Sequence, residues 1–257
     1  MVIATTVAGV FMYAVHWVAF KAMTKPEYGD LQNMLGLLNL GMIPAIALQT
    51  GLMQQTASAV TPDQRARLRG TVKQLLGWIF LIWLVGCGAA FFGRDAIFRV
   101  QKLSGWSLWM TVLTLLPLWW LPVMQGLLQG SQNFLWLGWS AMCNGMGRFL
   151  FVVIMLLLFR SGPAGTIFGA ALGISLATVI AAWKSRDLWQ GPTPKVNIAL
   201  WIKEILPLTI GLGASQFMMS ADILVVKSFF TKDIPSSHIH PLPERASAET
   251  SPLEVGQ

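Results

Sequence analysis

The sequence predicts an all-α fold: a polytopic bundle of about seven transmembrane helices. Of the 257 residues, 54% are hydrophobic and only 11% are charged, whereas soluble domains carry about 25% charged residues. The mean hydropathy is +0.60. The apolar residues are gathered in runs of about twenty, the length that a helix needs to cross the hydrocarbon core with its backbone polar groups satisfied internally.

Seven apolar runs meet this length requirement, and the last is long enough to tilt or bend. The first of them lacks a basic leading segment and a small-residue cleavage site, so we interpret it as a span rather than a signal peptide. The predicted spans are Val2–Phe20, Met34–Met53, Leu75–Phe92, Trp106–Leu128, Phe134–Phe159, Thr166–Trp183 and Ile205–Phe230.

Two basic connectors between these runs bear on orientation. Residues 54–74 are predicted to form a cytoplasmic loop with Arg65, Arg67, Arg69 and Lys73. The connector after the sixth run falls on the same side by alternation. With the N-terminus inside, cytoplasmic loops hold eight Lys and Arg and external loops hold six, so the positive-inside rule favours this orientation by a small margin.

The chain divides into three predicted parts. Residues 1–203 form a six-helix transmembrane bundle, and residues 204–230 form a seventh helix that opens a second bundle. Residues 231–257 contain four prolines and little apolar periodicity, which predicts a disordered polar tail. The gapless similarity of residues 11–21 to residues 217–227 fits either an internal repeat or chance likeness between apolar helices.

Composition also excludes several classes of function. The formal charge is +7, yet the Lys and Arg lie mainly between apolar runs, so no nucleic-acid partner is expected and membrane lipids are the expected partners. Cys87 and Cys143 lie in separate runs without metal-ligand spacing. No phosphate loop, nucleophile elbow or zinc-protease motif occurs. The sequence therefore predicts a protein that is not an enzyme and that binds no cofactor or metal.

Four ionisable residues fall inside predicted spans: His16, Arg148, Asp222 and Lys227. An Asp, Lys or Arg at a helix centre costs about 2.5–3.5 kcal/mol on insertion scales, and a water-filled cavity that binds an ionic substrate or a coupling ion would remove most of that cost. We therefore take all four as candidate substrate-binding residues, with an Asp222–Arg148 ion pair as one arrangement.

Each candidate also has a structural alternative. Lys227 lies near a helix end and can snorkel to the interface. His16 can be a packing residue rather than a proton carrier. Arg148 lies deeper, in the stretch Asn144-Gly145-Met146-Gly147-Arg148, where the glycines allow a neighbouring backbone to approach.

Small residues and prolines give two further expectations. Gly165, Gly169 and Gly173 recur every four residues, a spacing that permits close helix packing in lipid. Pro44, Pro117, Pro122 and Pro207 lie inside predicted helices and permit kinks.

Three local patterns resemble the multidrug/oligosaccharidyl-lipid/polysaccharide exporter superfamily, and within it the polysaccharide or O-antigen flippases. Lys25-Pro26-Glu27-Tyr28-Gly29 resembles the turn before that family's second helix. Residues 125–134 resemble the turn between its fourth and fifth helices, and residues 221–230 resemble the start of its seventh.

The resemblance implies two six-helix bundles around a central cavity, often cationic, that binds the pyrophosphate of a lipid-linked oligosaccharide and works by alternating access. It implies a multi-pass protein of the cell inner membrane. This chain would supply the N-terminal bundle plus one helix, apparently truncated, with a second copy or the missing C-terminal bundle as its partner.

Two alternatives stay open. A drug/cation antiporter of the same superfamily is expected to carry carboxylates in the N-terminal bundle, and predicted spans one to six contain none. A membrane scaffold for a polysaccharide synthesis complex would not transport at all.

Overall fold

A computed structural model describes residues 2–94 and 105–191, together with Lys203, Pro207, Ile210, Gly211 and Ala214. In this described part the all-α class is confirmed. The helices are α1 (Val2–Ala22), α2 (Lys25–Ser58), α3 (Pro62–Phe92), α4 (Gly105–Gly130), α5 (Phe134–Val153), which continues as a π-helical turn (Ile154–Leu158), α6 (Gly162–Lys184) and the short α7 (Arg186–Trp189).

Helices α1 to α6 are each long and apolar enough to cross a membrane. The protein is therefore a multi-pass membrane protein, and the first six predicted spans are confirmed. The seventh predicted span and the polar tail lie outside the described residues, apart from isolated positions of the former.

Two helix starts differ from the prediction. Helix α2 begins nine residues before Met34, and α3 begins thirteen residues before Leu75. The predicted loop at residues 54–74 is therefore wrong: the chain turns only at residues 59–61, and the basic residues of that stretch lie on α3. Hydropathy detects the apolar middle of a helix but not its polar first turns.

Capping boxes explain why both helices start early. The backbone N–H groups of Thr24 and Thr61 donate to the side chains of Glu27 and Gln64, each at 2.9 Å, while a proline occupies the first or second helical position. This reciprocal arrangement satisfies backbone donors that the first turn leaves free.

Successive helices alternate in direction. Gly138 at the start of α5 contacts Ala4 at the start of α1, and Gly130 at the end of α4 lies against Met53 near the end of α2. We call the end of the bundle that holds these residues the N-terminal end. The turn between α5 and α6 lies at the opposite end.

Helices α4 and α6 form the interior of the bundle, whereas α1 is largely exposed. Helix α4 packs against α2, α3 and α6, and α5 packs between α1 and α6. Buried leucines and valines of α4, among them Val123, Leu127 and Leu128, form the centre of the core.

Glycines set the closest helix contacts. A Cβ at Gly126 of α4 would lie 2.6 Å from the carbonyl oxygen of Gln49 in α2. In α6, Gly169 and Gly173 lie directly against the α5 backbone, as the small-residue spacing predicted, whereas Gly165 faces its own preceding turn. The small-residue faces thus let α5 and α6 approach closely.

Two tryptophan side chains donate hydrogen bonds to backbone carbonyls of neighbouring helices that contain prolines. Pro44 and Pro117 lie inside α2 and α4, as predicted, and so does Pro122. Trp119 Nε1 donates to the Gly41 carbonyl at 2.7 Å, three residues before Pro44. Trp83 Nε1 donates to the Val112 carbonyl at 2.8 Å. These bonds connect α4 to α2 and to α3.

The short helix α7 returns the chain to α3. Lys73 Nζ donates to the Gly191 carbonyl at 2.9 Å, and the Arg69 side chain lies beside the same glycine. Gly191 has a φ of +119°, a conformation that L side chains rarely adopt.

Candidate functional site

Arg148 lies near the middle of a membrane-spanning helix. Counting from Phe134 to the end of the π-helical turn, it is roughly 21 Å from one end and roughly 15 Å from the other at 1.5 Å per residue. It is therefore near the depth at which a charge is most costly.

The side-chain partners of Arg148 are uncharged. Its Nε donates to Asn144 Oδ1 at 3.0 Å, and its Nη1 lies 3.7 Å from the sulfur of Met12 in α1. The bond to Asn144 spans one turn of the same helix, so the side chain is held along α5 and directed at α1. The positive charge has no carboxylate partner among the described residues.

The glycines beside Arg148 explain how three helices meet there. A Cβ on Gly145 would lie 2.7 Å from the backbone of Ala8 in α1, and Gly147 faces Gly173 of α6. Helices α1 and α6 therefore approach the α5 backbone closely, which places the Arg148 guanidinium between α5 and α1. The predicted role of the flanking glycines agrees with this geometry.

Carboxylates lie far from this depth. The acidic residues in the described part of the chain are Glu27, Asp30, Asp63 and Asp187. All four lie in the first two turns of a helix. Because α2 starts earlier than predicted, Glu27 and Asp30 belong to a spanning helix, but to its terminal turns rather than its centre.

Of the other three predicted site residues, one lies within the described part of the chain and two lie outside it. His16 is half-buried on α1, one turn after Met12, and it makes no side-chain hydrogen bond within the described part of the chain. Asp222 and Lys227 lie outside the described residues, and so does the Asp222–Arg148 pair. His16 therefore lies on α1, the helix whose Met12 contacts the Arg148 side chain.

Polar and small residues are exposed on the spanning helices α1 and α2. In α2, Gln32, Asn33, Gly36 and Asn39 are all exposed and share one face by their three- and four-residue spacing. In α1, Tyr13 is 74% exposed. Lipid does not satisfy amide side chains, so these positions suit a water-filled cavity or a protein partner.

Sequence reasoning missed two features of the bundle. Asn144 is the hydrogen-bond partner of Arg148, and its i,i+4 spacing was the available signal. Gln32 and Asn33 on the polar face of α2 were missed because they precede the predicted start of the span at Met34.

No protein-family model matches the chain, and no curated protein is detectably similar to it. Solved structures do match. The chain superposes on a MATE transporter in complex with MaD5 with a TM-score of 0.66 and 17% identity, over 89% of this chain and 54% of that one. The Vibrio cholerae MATE transporter VcmN in its bent form matches with a TM-score of 0.62 and 14% identity, over 90% of this chain and 56% of that one. A third structure, a MATE transporter in complex with Br-NRF, matches with a TM-score of 0.63 and 16% identity, over 87% of this chain and 55% of that one.

The fold is that of the N-terminal bundle of a MATE transporter. MATE transporters belong to the exporter superfamily that the sequence resembles. The chain spans just over half the length of these structures. At this level of identity the likeness establishes the fold alone.

Proposed function

We propose that the chain is part of a flippase-type transporter, which moves a lipid-linked oligosaccharide or polysaccharide precursor across the cytoplasmic membrane by alternating access. The observation that carries the proposal is Arg148. Its guanidinium lies near the middle of a spanning helix, where its side-chain partners among the described residues are Asn144 and Met12, so no described carboxylate neutralises its charge. A pyrophosphate group offers the acceptor oxygens that an arginine binds best.

The exposed polar face of α2 supports a hydrated pathway along the bundle. Amide side chains on a spanning helix are compatible with a hydrated cavity through which sugars pass, while the lipid tail stays in the bilayer. In the proposal a second bundle, from a C-terminal half or from a second copy of the chain, closes this cavity.

The distribution of charge favours an anionic over a cationic substrate. Helices α1, α4, α5 and α6 contain no Asp or Glu, and a drug/cation antiporter needs a buried carboxylate to bind its substrate and to exchange protons. Arg148 instead repels cations. A scaffold without transport activity gives no reason to keep an arginine at this depth.

The decisive experiment compares two ligands on the purified chain. Binding of a fluorescent pyrophosphate-linked lipid disaccharide and of the cationic dye ethidium is measured in nanodiscs, for the unmodified chain and for Arg148→Ala and Arg148→Lys. The lipid sugar should bind, and Arg148→Ala should weaken it about tenfold or more, in line with the loss of charge-assisted hydrogen bonds. Arg148→Lys should retain part of the affinity.

Arg186→Ala, at an exposed position of α7, is the matched control and should leave binding unchanged. Ethidium binding that is indifferent to Arg148, with no binding of the lipid sugar, would replace this proposal with the antiporter. Binding of neither ligand would favour the scaffold. Proteoliposomes then report flipping of the bound lipid sugar.

A further inference from the structure

The opposite end of the bundle contains an unusual chain reversal. Helix α5 ends in the π-helical turn Ile154–Leu158, and the reversal then passes through two residues with positive φ, Arg160 at +47° and Gly162 at +59°. A positive φ is unfavourable for arginine, and such conformations and π-helical turns both concentrate at functional sites. The strained backbone presents the exposed Arg160 side chain at this end of the bundle.

Two cavities adjoin this reversal and share part of their walls. One has a volume of about 640 Å³ and the other about 360 Å³, and both are lined by Glu27, Arg160 and Gly162. The larger cavity is otherwise mainly apolar, with side chains from α4, the end of α5 and α6. Its apolar lining includes Trp106, Met110, Met155, Phe159 and Phe168.

The two charged residues face these cavities without neutralising each other. No ion pair within 4.0 Å joins Glu27 to Arg160. The Oε2 atom of Glu27 accepts both bonds from Thr24, at 2.9 and 2.8 Å. Its Oε1 atom lies 3.7 Å from the position that a Cβ on Gly162 would take, so this oxygen lies beside the start of α6.

The start of α6 adds positive potential at the same place. Ser161 precedes the helix, but its hydroxyl donates to the Met155 carbonyl at 2.8 Å and makes no cap bond to the first turn. At the start of this 23-residue helix, Pro163 has no N–H and the N–H of Gly165 donates to the Ser161 carbonyl at 3.3 Å, so the N–H groups of Gly162 and Ala164 are the donors without a side-chain acceptor. Together with Arg160 they form a place for an anion next to a carboxylate oxygen.

We propose that this end of the bundle binds the headgroup of a zwitterionic phospholipid of the phosphatidylethanolamine type. The phosphate lies between Arg160 and the start of α6, and the primary ammonium donates to Glu27 Oε1. One acyl chain lies along Met110, Met155 and Phe168. A free phosphate ion would contact only Arg160 and the start of α6. A phospholipid would also place its ammonium on Glu27 and its acyl chain against the apolar wall of the cavity.

The position in the fold supports this ligand. The reversal lies beyond the last turn of α5, a helix long enough to cross a membrane, and headgroups are expected where such a helix ends. Trp106, which is 73% exposed, is typical of an interfacial aromatic. This site lies at the membrane surface, away from the mid-membrane Arg148. The inference does not depend on the proposed substrate.

Native mass spectrometry of the full chain in detergent tests the site. The probes are phosphatidylethanolamine, phosphatidylcholine and phosphatidylglycerol of equal chain length, and inorganic phosphate. Phosphatidylethanolamine should bind best, since choline has no N–H donor and glycerol has no cation. Arg160→Gly should weaken its binding about tenfold. Because glycine accepts a positive φ, that variant should fold at least as well as the unmodified chain.

Glu27→Gln keeps the capping box and should abolish the preference for ethanolamine over choline. Arg186→Gln, at the other end of the bundle, removes the same charge as a control and should change nothing. Equal affinity of Arg160→Gly and the unmodified chain would overturn the site, as would inorganic phosphate that competes fully with the lipid. Retained binding of the pyrophosphate-linked sugar by Arg160→Gly would show that the two sites are separate.

Discussion

Gly173 of α6 lies so close to Arg148 of α5 that a methyl group on the glycine would overlap the arginine backbone nitrogen. The candidate site is therefore held in place by contact between two helix backbones. Its geometry depends on a residue that has no side chain and binds nothing itself.

Gly173→Ala should push α5 and α6 apart and destabilise the bundle. Overpacking of a tight contact costs about 1–3 kcal/mol. The free energy of unfolding in detergent, measured by denaturant titration, checks this. Gly77→Ala in α3 is the control, since nothing lies within 4 Å of a Cβ there, and it should be neutral or slightly stabilising because alanine favours helix. Equal effects of the two substitutions would contradict the close contact.

Asn144→Asp should preserve the hydrogen bond to Arg148 while neutralising its charge. The folded state should keep its stability, but the pyrophosphate-linked lipid sugar should bind about tenfold more weakly or worse, since the arginine then has a carboxylate partner. Binding and thermal unfolding are measured on the same preparation. Asn133→Asp adds the same charge before the first residue of α5 and should leave binding intact. Tight binding by Asn144→Asp would remove Arg148 from the proposed mechanism.

Lys184 should stabilise the end of α6 through two aromatic rings. Its Nζ lies 3.9 Å from the ring centre of Trp136 and 4.0 Å from that of Trp183. Lys184→Met removes the charge but keeps an unbranched side chain, and it should cost about 0.5–2 kcal/mol. A double-mutant cycle with Trp136→Leu measures the coupling. A coupling energy of zero would show that the contact contributes no stability.

Trp119→Phe should destabilise the contact between α2 and α4. The substitution keeps an aromatic ring but leaves the Gly41 carbonyl without its indole donor, which costs about 0.5–1.5 kcal/mol for a typical hydrogen bond. Thermal unfolding in detergent is the measurement. Trp109→Phe, at an exposed position of the same helix, is the control. If both variants unfold at the same temperature, the bond contributes nothing at this site.

The sequence predicted the membrane-spanning class and the six described spans because hydrophobic length is a local property. The starts of α2 and α3 were predicted wrongly, although the pattern Thr61-Pro62-Asp63-Gln64 contains both a capping box and a proline at the first helical position. Those signals are also local, but a hydropathy window averages them with the polar residues around them.

The candidate site was only partly predictable. The sequence identified Arg148 as a charge at membrane depth, and the spacing to Asn144 was readable. The contacts with Met12 and Gly173 depend on which helices pack against α5. The approach of Glu27 to Gly162 joins residues 135 positions apart, and no periodicity within a helix encodes such a meeting.

The hydrogen bond from Lys73 to the Gly191 carbonyl has a consequence for the remainder of the polypeptide. It fixes the point from which the following residues depart, next to the basic first half of α3. Replacing Lys73 removes this tether and should loosen Gly191 from its place beside α3.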